Sequence, residues 1–161
     1  MNVLEVNAIS KKFDAVFAVN NISFSIEEGI VFGLIGPNGA GKTTTIRIVM
    51  NIIIPDSGDI TIMGENQQSL ATDNVGYLPE ERGLYRKMKV NELLRFLSEL
   101  KRMPKKEANR AIDYWLERVG LSDWKEKKVE ELSNGMQQKI QFIGTVLHSP
   151  KLLILDEPFG G

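Results

Sequence analysis

The fold is decided by the stretch Gly36-Pro37-Asn38-Gly39-Ala40-Gly41-Lys42-Thr43. It matches the pattern Gly-x-x-x-x-Gly-Lys-Ser/Thr, whose glycines let backbone N–H groups approach phosphate oxygens without hindrance from side chains. The apolar run of residues 30–35 precedes it and predicts a strand buried on both faces. A helix is expected to follow from Thr44 to about Asn51. Because strand, loop and helix occur in the order that this motif requires, the stretch predicts a phosphate-binding loop in an α/β fold.

Two side chains of this loop have predicted roles toward a bound nucleoside triphosphate. The Lys42 ammonium would reach the β- and γ-phosphates, which makes Lys42 a predicted catalytic residue, and the Thr43 hydroxyl would be a ligand of Mg²⁺. The helix that begins here adds unpaired N–H groups and the positive end of its dipole. The predicted nucleotide-binding loop residues are Gly36, Asn38, Gly39, Ala40, Gly41, Lys42, Thr43 and Thr44.

A second apolar run, residues 151–155, leads directly into Asp156 and Glu157. It predicts another buried strand, and ligands of open α/β sheets bind at the carboxyl ends of such strands. In enzymes with a phosphate-binding loop, an acid at this position holds the Mg²⁺ shell, so Asp156 is a predicted metal residue. A second carboxylate can orient or deprotonate the attacking water, which makes Glu157 a predicted catalytic residue.

The rest of the chain divides into strand and helix signals. Residues 2–9 and 19–26 contain short alternating apolar stretches, which predict strands with one covered face. Between the loop and the second apolar run, apolar residues recur at helical spacing, with Pro104 separating two helices and Gly120 ending the second. The apolar positions of this block are Leu93, Leu97, Leu100, Ala108, Ile112, Trp115 and Val119.

Composition excludes several kinds of protein. The 161 residues carry a net charge of −1, no cysteine and one histidine, His148. A disulfide framework, a thiolate metal site and a histidine-rich metal cluster are therefore excluded. No apolar run approaches the roughly 18–20 residues that cross a bilayer. Residues 82–128 hold 14 of the 20 Lys and Arg and only 7 acids, which fits a solvated helical face or a surface near anionic lipid or a membrane-embedded partner.

The segment Leu132-Ser133-Asn134-Gly135-Met136-Gln137-Gln138 precedes Asp156 and predicts a helix capped by Ser133. Here the sequence resembles the ABC ATPase family, whose signature reads LSGGQ or LSGGM-Q-Q. In that family the start of this helix contacts the γ-phosphate held by the opposite subunit. The resemblance extends over essentially the whole chain. It implies that the signature residues acting on the partner's ATP are Ser133, Asn134, Gly135, Met136 and Gln137.

The resemblance assigns two more residues. Phe13 matches the aromatic residue that stacks on adenine, although a phenylalanine near a strand can also be a core residue. Glu80 stands where the family has a glutamine that binds Mg²⁺ and senses the γ-phosphate, so it is a predicted metal and catalytic residue. A carboxylate there adds negative charge and cannot donate a hydrogen bond when ionised. At Asn134, which replaces a signature glycine, asparagine tolerates a left-handed backbone better than most residues.

The fold class implied is α/β: a P-loop NTPase with an ABC-type core of parallel sheet, an antiparallel β region and an inserted helical subdomain. Residues 1–82 and 131–161 would form the nucleotide-binding core, and residues 83–130 the helical subdomain. We expect one incomplete domain, because the chain stops just after a core strand. The family's acidic loop and switch histidine would then follow Gly161, and His148 is interpreted as a helix-end residue.

The resemblance implies a function with stated cofactors and partners. It implies an ATPase with ATP and Mg²⁺, acting as a head-to-tail homodimer with an integral-membrane transporter subunit on the cytoplasmic face of the cell membrane. No nucleic-acid partner is expected. Glu80 favours exporters of the sodium-extrusion or drug-export type. Two alternatives stay open: a nucleotide-binding module without turnover, which fits the chain as it stands, and a soluble translation-type ABC ATPase. The DNA-repair type is disfavoured because no long coiled coil separates Lys42 from the signature.

Overall fold

The structure, a computed structural model, describes residues 1–67, 74–80, 83 and 85–157. Its contacts divide the chain into two units, Met1–Ala71 and Thr72–Gly161. The amino-terminal unit contains the predicted phosphate-binding loop, and the carboxy-terminal unit contains the predicted signature and the predicted carboxylates.

An antiparallel sheet of four strands forms most of the amino-terminal unit. Alternating apolar side chains on the first strand are buried, including Leu4, Val6 and Ile9, because one face of the sheet is covered. The strands predicted at residues 2–9 and 19–26 are confirmed, and each extends further than predicted. In the spatial order β2-β1-β3-β4, the strands are β1 Asn2–Phe13, β2 Val16–Glu27, β3 Ser57–Ile62 and β4 Glu65–Asn66.

The prediction of a buried strand at residues 30–35 is wrong. These residues form neither strand nor helix, and Val31 and Ile35 are 99% and 95% exposed. Phe32 stacks on Phe24 of β2 with ring centroids 5.2 Å apart. Within the described residues no strand pairs with this stretch, so its backbone lacks the hydrogen-bonded ladder that burial of a strand requires. The apolar run therefore enters the loop as an irregular, exposed segment.

Helix α1, Lys42–Val49, follows the predicted phosphate-binding loop. It begins two residues before the predicted start, and its buried residues are Thr45, Ile48 and Val49. The order of loop and helix that the motif requires is therefore present, even though the preceding strand is not.

The carboxy-terminal unit contains two parallel strands, β5 Val75–Leu78 and β6 Leu152–Leu155. The strand predicted at residues 151–155 is therefore confirmed. Its two faces are not equally covered, since Leu152 is 8% exposed whereas Leu153 is 40% exposed. The register pairs Leu78 with Leu155, so the two strands end at the same edge.

Three helices pack around one apolar cluster in this unit: α2 Val90–Leu100, α3 Lys105–Arg118 and α4 Asn134–Val146. The predicted helices on both sides of Pro104 are confirmed, and the second ends before Gly120, whose φ is +72°. Short 3-10 helices at Ser122–Trp124 and Val129–Glu131 connect α3 to α4. The cluster consists of Val90, Leu93, Leu94, Ile112, Leu116, Leu121, Val129, Leu132, Ile140, Ile143 and Leu147.

The division into a core and an inserted helical subdomain stays a prediction, because α2 and α3 share their apolar cluster with α4. None of the helices in the described part of the chain has the length and apolar content needed to cross a membrane.

Candidate functional site

The predicted phosphate-binding loop has a backbone that only glycine adopts easily at two positions. Gly39 and Gly41 have φ angles of +80° and +87°, in the left-handed region that other residues rarely enter. A turn closes the loop, since the Ala40 N–H donates to the Pro37 carbonyl oxygen at 3.2 Å. At Gly41 the lack of a side chain matters a second time, because a Cβ there would overlap the Ala18 carbonyl oxygen on β2. The loop thus lies directly against the sheet.

Several backbone N–H groups of the loop remain available to a ligand. Helix α1 has no side-chain cap at Gly41, and its first turn contains no acidic residue. No backbone carbonyl of the described residues accepts from the N–H groups of Gly39, Gly41 or Lys42. Together with the positive end of the helix dipole, these donors favour an anion at the start of α1.

The Lys42 side chain folds back over the loop from which it projects. Its Nζ donates to the carbonyl oxygens of Gly36 at 2.8 Å and Pro37 at 3.0 Å. A half-buried ammonium is therefore held within the loop. Thr43 and Thr44 follow in the first turn of α1 and are half-buried. A cation, backbone donors and a hydroxyl thus occupy one short segment, the set of groups that a triphosphate with its metal requires.

Phe13 is the last residue of β1 and belongs to the same unit as the loop. Its side chain is 47% exposed, so it is not a core residue. The Lys11 ammonium lies over the ring, 5.7 Å from its centroid. An exposed aromatic ring at a strand end is compatible with the predicted stacking on a nucleobase.

The predicted carboxylates lie at one edge of the parallel strand pair in the carboxy-terminal unit. Asp156 follows β6, is 3% exposed, and donates its backbone N–H to the Leu78 carbonyl oxygen at 2.9 Å. Glu157 and Glu80 are exposed, and Glu157 has a φ of +49°. Because β5 and β6 are parallel and in register, Glu80 leaves the sheet at the edge where Asp156 and Glu157 do.

The described side chains do not by themselves form a metal site at this edge. Within the described residues, no group of three or more His, Cys, Asp and Glu side chains is arranged to hold a metal ion. Mg²⁺ is commonly held by one or two protein oxygens together with substrate phosphates and waters. In the second unit, the buried carboxylate of Asp156 is an oxygen donor of the kind that such a site uses.

The predicted signature begins α4 as expected. Ser133 is the N-cap, with φ −62° and ψ 162°, and its Oγ accepts from the Met136 N–H at 3.3 Å. Asn134 and Gly135 are exposed in the first turn. Asn134 has no positive φ, so the left-handed conformation considered for it is not used. Gln137 is buried, and its Nε2 donates to the Leu132 carbonyl oxygen at 2.9 Å, so this side chain supports the segment internally.

Comparison with known proteins identifies the family. The family model described as ABC transporter matches residues 19–160. This chain belongs to the ABC transporter family. The ABC transporter ATP-binding protein YhaQ of Bacillus subtilis is 49% identical over 159 residues, which are 99% of this chain and 53% of that protein. MJ1023 of Methanocaldococcus jannaschii, also named an ABC transporter ATP-binding protein, is 47% identical over 98% of this chain and 57% of its own length.

A solved structure, described as an ATP-binding subunit of an ABC transporter, shares the fold. It aligns with a TM-score of 0.90 and 30% identity, covering 98% of this chain and 67% of that chain. The predicted fold class is thereby confirmed as an α/β ABC ATPase domain. The chain spans about half the length of the curated relatives that it matches.

The ABC site residues fall into two sets, one in each unit. Phe13 and the loop lie in the first unit, whereas Glu80, the signature and Asp156 lie in the second. The individual roles predicted for these residues stay predictions. His148, near the end of α4, places its Nε2 3.2 Å from the Val75 carbonyl oxygen, which agrees with its interpretation as a helix-end residue.

Sequence reasoning missed one group of contacts beside Phe13. Asp56 accepts hydrogen bonds from the Lys11 Nζ at 2.8 Å and from the Lys12 N–H at 2.7 Å, next to Phe13. The Lys11 hydrogen bond and the Lys12 N–H lower the pKa of Asp56 below its usual value. These partners lie more than 40 residues apart in sequence, and only the pairing of β1 with β3 brings them together. No local sequence pattern predicts this contact.

Proposed function

We propose that this chain is the ATP-binding part of an ABC transporter ATPase and that it binds Mg-ATP at residues 36–44. One observation carries the proposal: two left-handed glycines, unpaired N–H groups at the start of α1 and the Lys42 ammonium occupy one loop. This arrangement places donors and positive charge where a triphosphate is most negative. The names of the related proteins support ATP as the nucleotide.

Lys42 exchanges its partners when the nucleotide binds. In the structure its Nζ donates to two backbone carbonyl oxygens of the loop. Phosphate oxygens carry more negative charge than carbonyl oxygens, so the ammonium moves to the β- and γ-phosphates. Hydrogen bonds to charged groups contribute about 1.5–3 kcal/mol each. Loss of this side chain therefore lowers the affinity for ATP by roughly one to two orders of magnitude.

Thr43, Asp156 and Glu80 would hold Mg²⁺ together with the phosphates. When bound, the ion neutralises phosphate charge during transfer. Thr43 offers a hydroxyl oxygen and Asp156 a buried carboxylate, both hard oxygen donors. Glu80, at the same edge of the strand pair as Asp156, offers a carboxylate where relatives are expected to offer an amide. Its charge is expected to tune the affinity for Mg²⁺ rather than prevent nucleotide binding.

Hydrolysis is proposed to require two copies of the chain. Glu157 would orient or deprotonate the attacking water, since its exposed carboxylate follows the strand that carries Asp156. Ser133 and Gly135 are exposed at the start of α4 and could contact the γ-phosphate held by a second copy, in a head-to-tail homodimer. In this arrangement each ATP lies between the loop of one copy and the signature of the other.

We propose further that dimer closure drives an integral-membrane transporter subunit, with the ATPase on the cytoplasmic face of the membrane. Export is the favoured direction because Glu80 replaces the usual glutamine. No role for nucleic acid is proposed.

The 161-residue chain is proposed to bind ATP but to hydrolyse it slowly, because residues 30–35 do not form the paired strand expected to support the loop. An ATPase assay of the chain beside a longer version tests this, and vigorous turnover by the 161 residues would refute it.

The binding proposal is tested with two lysine variants. Lys42→Met removes the ammonium while keeping an apolar stem. Lys139→Met is the matched control, because Lys139 also donates to a backbone carbonyl, that of Val119 at 3.2 Å. Mg-ATP is expected to raise the melting temperature of the wild type and of Lys139→Met, and to raise that of Lys42→Met by much less. An equal shift in all three proteins would show that ATP binds elsewhere.

A further inference from the structure

We infer that the ion pair of Asp56 with Lys11 positions Phe13 for the nucleobase, so that Asp56 and Lys11 determine how much the base adds to nucleotide affinity. This inference rests on the proposed binding of ATP. Asp56 and Lys11 are positioning residues, because they act through the Phe13 ring and need not touch the ligand.

Asp56 fixes the end of β1 through three contacts. Its N–H donates to the Ser10 carbonyl oxygen at 2.8 Å, its Oδ2 accepts from the Lys12 N–H at 2.7 Å, and its Oδ1 accepts from the Lys11 Nζ at 2.8 Å. The three residues that it contacts directly precede Phe13. The backbone that carries the aromatic ring is therefore fixed from the neighbouring segment.

The first residues of β3, directly after Asp56, allow this close approach. Gly58 has a φ of +86°, and a Cβ there would overlap the Asn7 carbonyl oxygen of β1. The pairing of β1 with β3 shifts its register between Asn7 and Ser10, so the ladder is irregular at the point where Gly58 lies against β1. Glycine at this position lets Asp56 reach the last residues of β1.

The ion pair also determines where the Lys11 ammonium lies. The Lys11 side chain is 19% exposed although it carries a charge, whereas that of Asp56 is 48% exposed. Held by Asp56, the ammonium lies 5.7 Å from the centroid of the Phe13 ring. One face of the ring is thus occupied by a cation, and the base can stack only on the other face.

The cation has a chemical consequence for stacking. A positive charge over one face draws π-electron density toward itself and reduces repulsion at the opposite face. An electron-rich purine then stacks more favourably on that opposite face, and the ring is already immobilised when the purine arrives. Loss of the ammonium should cost about two- to fivefold in affinity, the equivalent of a cation–π contact at an exposed site.

The test separates the base from the phosphates. Dissociation constants for Mg-ATP and for magnesium tripolyphosphate are measured by calorimetry, and their ratio reports the contribution of the nucleoside. Asp56→Asn and Lys11→Met should each lower this contribution about two- to fivefold while leaving the tripolyphosphate constant unchanged. Lys11→Arg, which keeps the cation, should retain the wild-type ratio. Asp113→Asn, which breaks a surface ion pair with Lys125 at 2.6 Å, is the control.

Three results would overturn the inference. The first is an unchanged ratio in both Asp56→Asn and Lys11→Met, although Phe13→Ala lowers it. The second is an equal loss of ATP and tripolyphosphate affinity, which would indicate a general effect on folding. The third is a normal ratio in Phe13→Ala, which would show that ATP binds without a contribution from the Phe13 ring. If the wild type bound neither ligand, the proposed function itself would fall with the inference.

Discussion

The substitution Gly41→Ala should destabilise the protein more than alanine at either of two other glycines with a left-handed backbone. Gly39, Gly41 and Gly64 have φ angles of +80°, +87° and +80°. An alanine in this conformation costs about 1–2 kcal/mol wherever it is placed. A Cβ on Gly39 or Gly64 would meet no atom within 4 Å, whereas a Cβ on Gly41 would overlap the Ala18 carbonyl oxygen. Relief of such an overlap costs a further ~1–3 kcal/mol.

The expected magnitudes follow from these two costs. Gly39→Ala and Gly64→Ala should each lower the free energy of unfolding by about 1–2 kcal/mol, and Gly41→Ala by about 2–5 kcal/mol. Because the loop must move away from β2, Gly41→Ala should also weaken magnesium tripolyphosphate binding at least about tenfold, equivalent to 1.4 kcal/mol. Urea denaturation and calorimetry measure the two effects, with Gly64→Ala as the control outside the loop.

Two outcomes would refute the reasoning. If Gly41→Ala were no more destabilising than Gly64→Ala, the loop would not be pressed against β2 as the structure shows. If Gly41→Ala were strongly destabilised but bound tripolyphosphate normally, the ligand would not use this loop.

Three further predictions concern stability. Ser133→Ala should cost about 0.5–1 kcal/mol in urea denaturation, because the cap hydrogen bond is long at 3.3 Å; no loss would show that the cap is not formed. Ile143→Ala should lower the free energy of unfolding by about 2–5 kcal/mol, because the Ile143 side chain is fully buried. Leu100 is 61% exposed, so Leu100→Ala should change stability by less than about 0.5 kcal/mol. Similar losses in the two variants would contradict the packing. The lowered pKa of Asp56 means that its ion pair stabilises the fold above the unfolded pKa of about 3.9 and that this contribution is lost as the pH falls through the folded pKa. The stability difference between the wild type and Asp56→Asn should therefore shrink from pH 7 toward acid, and a constant difference would argue against the ion pair.

Local patterns predicted those features whose cause is local. The N-cap at Ser133, the helix end before Gly120 and the loop before α1 all depend on residues within a few positions of one another. The strands at residues 2–9 and 19–26 were predicted because one face of each alternates between apolar and polar residues. The family resemblance, carried by the loop and the signature, then gave the fold class that the comparisons confirm.

Features that depend on distant neighbours were missed or predicted wrongly. An apolar run predicts burial only if other elements cover it, and residues 30–35 have no paired strand in the described part of the chain. The partial exposure of Leu153 has the same origin, since periodicity does not show which face will be covered. The contact of Asp56 with Lys11 spans 45 residues and depends on the register of β1 with β3. Neither the spacing of residues nor the composition predicts that register.

The parallel ladder of β5 and β6 makes Glu80 and Asp156 mechanically dependent on each other. Only four residue pairs form this ladder, and the Asp156 N–H extends it by one more bond to Leu78. A slip by a single residue would turn every side chain of the shifted strand to the opposite face. A change at Val75 or Leu152, at the opposite end of the ladder, would thus displace both acids at once. If the acids have their proposed roles, a screen for inactive variants should recover substitutions there as readily as at the acids themselves.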